Sequence, residues 1–349
     1  MNSPATLNSP ATLNSQAGRH EVSLPALDGR SPLGFLAAVG LLRLLTRHDG
    51  QPARLAWSPE TCAATVSSHR DGIDELVTAV EGIVARIPDG GVLPEVPADL
   101  PPPGEAPDGL RLSRGAFAER VGTWIGAGHE QPRTGGGAEP DAAETEAWIA
   151  GLVTDLALDP RGRVDITLFA APSGKQSMRT MLEKPLEAVR KHPEVLREAM
   201  LGWRRYPGVT GEYLDHRVVF DAGDAPDGRA RERGVPGATW LALMALPVLP
   251  STGVDGRLIT VGWHRFGPRN ADRRLVYPLW SAPLDLPAVA TLLHHPMLAE
   301  SVHPDPAHPD PAHADLPEAA EAFTVFRICR AQRRRLAGRT FAGVLAPLP

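Results

Sequence analysis

The chain has 349 residues, 42% of them apolar, which suffices to fill the core of one large or two ordinary domains. Its net charge of −5 excludes a protein that coats nucleic acid over its whole surface, so any such contact must be local. The two cysteines, Cys62 and Cys329, stand far apart and outside any CxxC pair, which excludes a disulfide framework and a cysteine zinc site and fits a reducing compartment.

Residues 1–20 hold NSPATL twice and then NSQAG, a tandem repeat too polar to offset chain entropy, and a disordered tail is expected there. Neither a basic start with an apolar run behind it nor an apolar run of about eighteen residues occurs, so a cytoplasmic protein with no membrane partner is expected. EVSLP from Glu21 predicts a short strand and Ala26 to Arg30 a turn. Ser31 then suits an N-cap and Pro32 the first helical position, and Leu33, Leu36, Ala37, Gly40, Leu41, Leu44 and Leu45 recur at helical spacing. Gly40 inside that helix costs about 1 kcal/mol relative to alanine, which points to a close approach by another backbone. Arg43 and Arg47 fall near the helix end that favours cations.

Arg54 to Trp57 and Ala63 to Ser67 read as a hairpin, and Gly72 to Ile87 as an amphipathic helix. The stretches 88–109 and 128–144 are rich in glycine, proline or acid and read as surface excursions around a short helix near Phe117 to Ile125. Val164 to Ala170 predicts a strand, followed by a helix through Met178, Met181, Leu182, Leu186 and Val189 that Pro185 would kink. Leu196 to Trp203 extends the helical layer, Val218 to Phe220 reads as a short strand, and 223–234 as a polar insertion. Ala238 to Leu246 predicts an apolar helix ended by Pro247, Leu258 to Trp263 and Arg274 to Tyr277 strands, and Leu286 to His294 a helix. HPDPA occurs twice from His303 and forbids regular structure, so a disordered loop is expected near 302–318. Ala322 to Leu336 is ambiguous: Phe323, Val325 and Arg327 alternate as a strand does, whereas AQRRRL suits a helix.

The whole reads as a mixed α/β protein of the α+β class, with an N-terminal lobe at 21–160 and a C-terminal lobe at 161–349. Phe35 to Leu41 and Trp240 to Leu246 share the order aromatic, Leu, Ala, apolar, apolar, small, Leu. Two similar lobes, each an apolar helix on a small sheet, would explain this; the common composition of apolar helices explains it equally.

Candidate chemistry is sparse. Ser173-Gly174-Lys175-Gln176 lies between a predicted strand and helix, where backbone N–H groups and Lys175 and Arg179 would suit a phosphate. Phe169 stands where a nucleotide-binding loop needs glycine, and Gln176 where it needs Ser or Thr, so a backbone phosphate fits better than a hydrolysed nucleotide. An ordinary solvated loop accounts for the same residues. Arg327, Arg330, Arg333, Arg334, Arg335 and Arg339 form the densest positive run, which fits a nucleic-acid backbone, an acidic partner, or a solvated face. Arg204 and Arg205 beside Trp203 and Tyr206 add a smaller cationic and aromatic group. His303, His308 and His313 recur every five residues, which forms no helical metal site. There is no GxSxG, HExxH, GxGxxG after a strand, or paired CxxC. Neither a catalytic residue nor a cofactor is expected. Asp155 and Asp159, or Asp221 and Asp224, are acids at turns that nothing singles out as a metal pair. An enzyme using Asp221, Asp224 and His264 is the competing reading, and a plain protein-binding adaptor a third.

Four segments carry a resemblance. LDGRSPLGFLAAVGLLRLL at Leu27–Leu45 resembles the N-terminal segment of CRISPR-associated proteins of type I-G (formerly I-U) systems, the Csb and Csx groups. ATWLALMALPVLP is similar to the second apolar helix of that group, FAAPSGKQSM to its strand-to-glycine-glutamine segment, and GEYLDHRVVFDAG to its Asp-containing stretch. The resemblance implies a non-catalytic subunit of an RNA-guided antiviral effector complex, whose partners would be other effector subunits, guide RNA and target DNA. Lys175, Gln176, Arg179, Arg204, Arg205, Arg330, Arg333, Arg334 and Arg335 are the expected nucleic-acid contacts.

Overall fold

The computed structural model describes residues 18–48, 52–104, 108–127, 140–170, 176–208, 213–218, 232–266, 272–300, 318–334 and 343–348. The tail at 1–17, the histidine repeat, Lys175, Asp221, Asp224, Arg335 and Arg339 lie outside them.

Strand β1 (His20–Asp28) leads into helix α1 (Pro32–His48), followed by strands β2 (Arg54–Trp57) and β3 (Ala63–Ser68) and helix α2 (Ile73–Arg86). The three strands pair antiparallel in the order β1-β3-β2. Helix α1 begins at the expected proline, but it is not amphipathic: every residue from Pro32 to Leu45 is buried. A helix apolar all round belongs in the centre of a protein.

Helices α3 (Arg114–Ala127) and α4 (Ala142–Leu152) follow, then the hairpin of β4 (Val153–Leu158) and β5 (Val164–Ile166). That hairpin lies across the boundary drawn at 160/161. Asp141 caps α4, accepting hydrogen bonds from the Ala143 and Glu144 N–H groups, so the acid-rich stretch around 140 is a helix start. Helices α5 (Met178–Lys191) and α6 (Glu194–Leu201) precede the short pair β6 (Tyr206–Pro207) and β7 (Arg233–Gly234). Val218 ends a single 3₁₀ turn, His216–Val218, and the predicted strand beyond it falls outside the described residues.

Helix α7 (Pro236–Leu243) crosses α1 at Gly40, where a β-carbon would collide with the Leu241 carbonyl oxygen. The close approach expected from Gly40 is therefore real, and the partner is the helix that α1 resembles. One hydrophobic core runs from Val22 to Leu345, so the two halves of the chain share it.

The hairpin of β8 (Ser251–Val254) and β9 (Arg257–Thr260) is followed by β10 (Trp263–Phe266), so the single strand expected at Leu258 to Trp263 is two, broken at Gly262, whose φ is 80°. Strand β11 (Asp272–Trp280), helices α8 (Leu286–Leu293), α9 (Met297–Glu300) and α10 (Glu318–Ala322), and strands β12 (Val325–Arg334) and β13 (Val344–Pro347) complete the chain. The ambiguous segment is thus a strand through Arg334; pairing on both sides outweighs the helical preference of AQRRR. Strands β10 to β13 form an antiparallel sheet in sequence order. Tyr277 on β11 meets Phe35 on α1 with ring centroids 4.3 Å apart, which fixes one face of this sheet against the core. The protein is α+β, with 41% of the described residues helical and 28% in strands. Among the described residues no helix is long and apolar enough to cross a membrane.

Candidate nucleic-acid interface

Register decides which cations meet on the β10–β13 sheet. Trp263 pairs with Leu275, His264 with Arg274, Arg265 with Arg273, Arg274 with Gln332, and Val276 with Arg330. Because side chains alternate, Leu275, Tyr277 and Ala331 share the inner face, and Arg265, Arg273 and Arg333 lie at its end. His264, Arg274, Arg330, Gln332 and Arg334 share the outer face. Strands β10, β11 and β12 together carry Arg265, Arg273, Arg274, Arg327, Arg330, Arg333 and Arg334 against one acid, Asp272. In an acidic chain this is a local concentration of positive charge.

Like charges directly opposite on neighbouring strands repel. Arg265 and Arg273 form such a pair. Burial, with Arg265 beside it, lowers the Arg273 pKa against the opposing pull of Asp165. Burial and the nearby Arg274 do the same to Arg330, and burial lowers His264. A polyanion would relieve the repulsion at both pairs.

Arg333 has a different task. Its guanidinium donates to the carbonyls of Tyr213 at 3.2 Å, Gly343 at 3.1 Å and Phe169 at 2.6 Å, tying β12 to three loops. Arg334 is exposed.

The start of α5 is not an open phosphate site. Ser177 and Thr180 close a capping box, and the Met178 N–H donates to the Asp108 carboxylate at 2.6 Å. The carboxylate already occupies the position an external anion would take. Arg179 is 7% exposed and donates to the carbonyls of Ala98, Pro101 and Gly90. It fastens the 88–104 segment, and the expectation that it meets a phosphate is set aside. Gln176, half-buried, precedes the cap. Arg205 is paired with Asp215 and donates to the Arg233 carbonyl. Arg204 is exposed, 3.9 Å from Glu198 and over the Tyr206 ring at 5.5 Å. Both residues precede β6, and Arg205 lies near the end of β12, since Arg205 and Arg334 both act electrostatically on His216.

Sequence reasoning missed the contributions of β10 and β11. Isolated Trp-His-Arg-Phe and Asp-Arg-Arg carry no motif, and only their register beside β12 assembles the patch. A cavity of about 350 Å³ adjoins edge strand β10, lined by Trp263, His264, Arg265, Arg273, His295 and apolar side chains. Of the competing acid and histidine set, His264 lines this cavity while Asp221 and Asp224 lie outside the described residues. Among the described residues no group of three or more His, Cys, Asp or Glu could hold a metal.

Fold and site together define an α+β protein with an arginine-rich antiparallel sheet. No protein-family model matches the chain. No curated protein matches it either.

Proposed function

We propose that this chain is a non-catalytic, cytoplasmic subunit of an RNA-guided CRISPR antiviral effector complex that binds nucleic acid through the β10–β12 arginines. The observation that carries the nucleic-acid part is the gathering of Arg274, Arg330 and Arg334 on the outer face of three adjacent strands, with Arg265 and Arg273 at the end of the other face, against one aspartate on those strands. Guanidinium groups suit phosphate through two-point hydrogen bonds, and no base reading is needed where guide pairing supplies sequence. The effector part rests on the four resembling segments. Two of them form the helices that meet at Gly40, and a third contains Asp215, the partner of Arg205. Other effector subunits, guide RNA and target DNA are the proposed partners.

Affinity copurification of the tagged full chain from its native host, with sequencing of the bound nucleic acid, tests this reading. Short repeat-derived RNAs accompanied by other effector subunits are expected. A clean monomer without RNA overturns it.

A further inference from the structure

The cavity beside β10 has a chemistry of its own. Its apolar walls come from Leu168, Leu258, Val261 and Leu293, and its polar groups are the Trp263 indole, three histidines, Arg265, Arg273 and Thr260. Among the described residues no carboxylate lines it. The Thr260 hydroxyl is engaged, accepting from the Leu168 N–H at 3.2 Å and sharing a hydrogen bond with Ser251. Trp263 Nε1 and His264 Nε2 are buried and have no hydrogen-bond partner among the described residues. Trp263 is only 7% exposed. Among the described residues the indoles of Trp57, Trp240 and Trp263 are all buried without a partner, and of these three it is Trp263 that lines the cavity, where a ligand can reach it.

The missing partner must therefore accept hydrogen bonds, carry negative charge for the facing Arg265 and Arg273, and present a body that fits apolar walls. A sugar phosphate lacks the apolar body, and a fatty acid lacks ring acceptors for the indole and imidazole. A nucleotide has both, and the volume lies in the range of small-ligand sites. A base pair within a duplex has its ring faces covered by stacking, so only an unpaired base can enter.

We infer that this cavity receives one unpaired nucleotide of a bound strand, its base against Trp263 and its phosphate on Arg265 and Arg273, which share a face of the sheet. This rests on the nucleic-acid reading above and adds to it a preference for single strands. The patch on β11 and β12 would hold the neighbouring phosphates.

The test uses the full chain and three probes: a single-stranded DNA with one 2-aminopurine, its duplex, and 5′-AMP. The single strand is expected to bind about tenfold or more tightly than the duplex, with a rise in 2-aminopurine fluorescence as the base leaves the stack. Ala299→Trp, at an exposed position on the cavity rim, and the pair Arg265→Gln with Arg273→Gln should each cost about tenfold for the single strand and less than about twofold for the duplex. Equal affinity for strand and duplex, unchanged by Ala299→Trp, overturns the inference and leaves the sheet reading standing. Tight 5′-AMP binding without a strand preference overturns it in favour of a free nucleotide. Failure of the wild-type chain to bind either nucleic acid removes the sheet reading as well.

Discussion

A cation inside an apolar helix destabilises the fold unless a partner reaches it there, and Arg43 has one from a distant helix. Its guanidinium is paired with Glu144, both side chains no more than 5% exposed, and lies over the Trp148 ring at 5.1 Å. Trp148 Nε1 donates to the same carboxylate at 2.8 Å, and Arg47 approaches its other oxygen at 3.3 Å. Breaking such a pair strands a buried charge, so Arg43→Met should cost about 3–5 kcal/mol in urea unfolding. Replacing both partners by apolar residues should recover part of that loss, and a single-variant cost below about 1 kcal/mol would deny the pair its role. Asp159 gives a pH-dependent case. Arg163 holds it by side-chain hydrogen bonds at 2.7 and 3.0 Å, and its pKa falls to about 2. A depressed carboxylate contributes stability above its unfolded value and loses it as pH falls through the folded value. The Tm difference between wild type and Asp159→Asn should accordingly be a few degrees at pH 7, shrink from about pH 4 downward and be gone only below about pH 2. A difference as large at pH 2 as at pH 7 would place the effect in packing instead.

Elements differ in what fixes them, and the helix crossing at Gly40 depends on a single missing atom. Gly40→Ala pushes a β-carbon into the Leu241 carbonyl and should destabilise by about 1–3 kcal/mol or more, since neither backbone can give way inside the core. Gly122 in α3 faces open space, so Gly122→Ala should stabilise by roughly 0.5–1 kcal/mol through helix preference alone. Thermal unfolding of both variants checks the contrast, and two changes of the same sign would refute it. The same distinction governs what can be read from sequence. Helices α1, α2 and α5, the β2–β3 hairpin and α8 are legible because their caps and periodicities are local signals. Strands β8 and β13 are only four residues each, and the burial of Glu144 on α4 has a cause 101 positions away in Arg43. In β12 the local preference of AQRRR runs against the pairing with β11 and β13, which decides. The arginine run was visible as a cluster. Its division into Arg333 as a structural tie and Arg330 and Arg334 on the outer face depends on strand alternation, and its neighbours Arg265, Arg273 and Arg274 arrive by register.

At the scale of the whole molecule, a net charge of −5 and an arginine-rich sheet make opposite demands on a polyanion. The acidic surface repels it over a distance set by screening, while the sheet attracts it locally, so binding must be confined in orientation and strongly dependent on salt. Each phosphate neutralised by a guanidinium releases bound counterions, which sets the slope of log K against log salt at about −0.9 per contact for duplex and about −0.7 for single strands. Arg327 and Arg334 are exposed on β12, so they can be changed without opening the core. The double variant Arg327→Glu with Arg334→Glu should weaken binding about equally across sequences and reduce the magnitude of the single-strand slope by about 1 to 1.5. Titrations by fluorescence anisotropy from 50 to 300 mM salt measure it. A slope identical to that of the wild type would mean that these two arginines face no phosphate, and β12 would then present them to an acidic protein rather than to nucleic acid. A reduced slope with an unchanged Tm identifies the loss as one of contact, because both changed side chains are exposed and Arg333, which ties β12 to three carbonyls, is left intact.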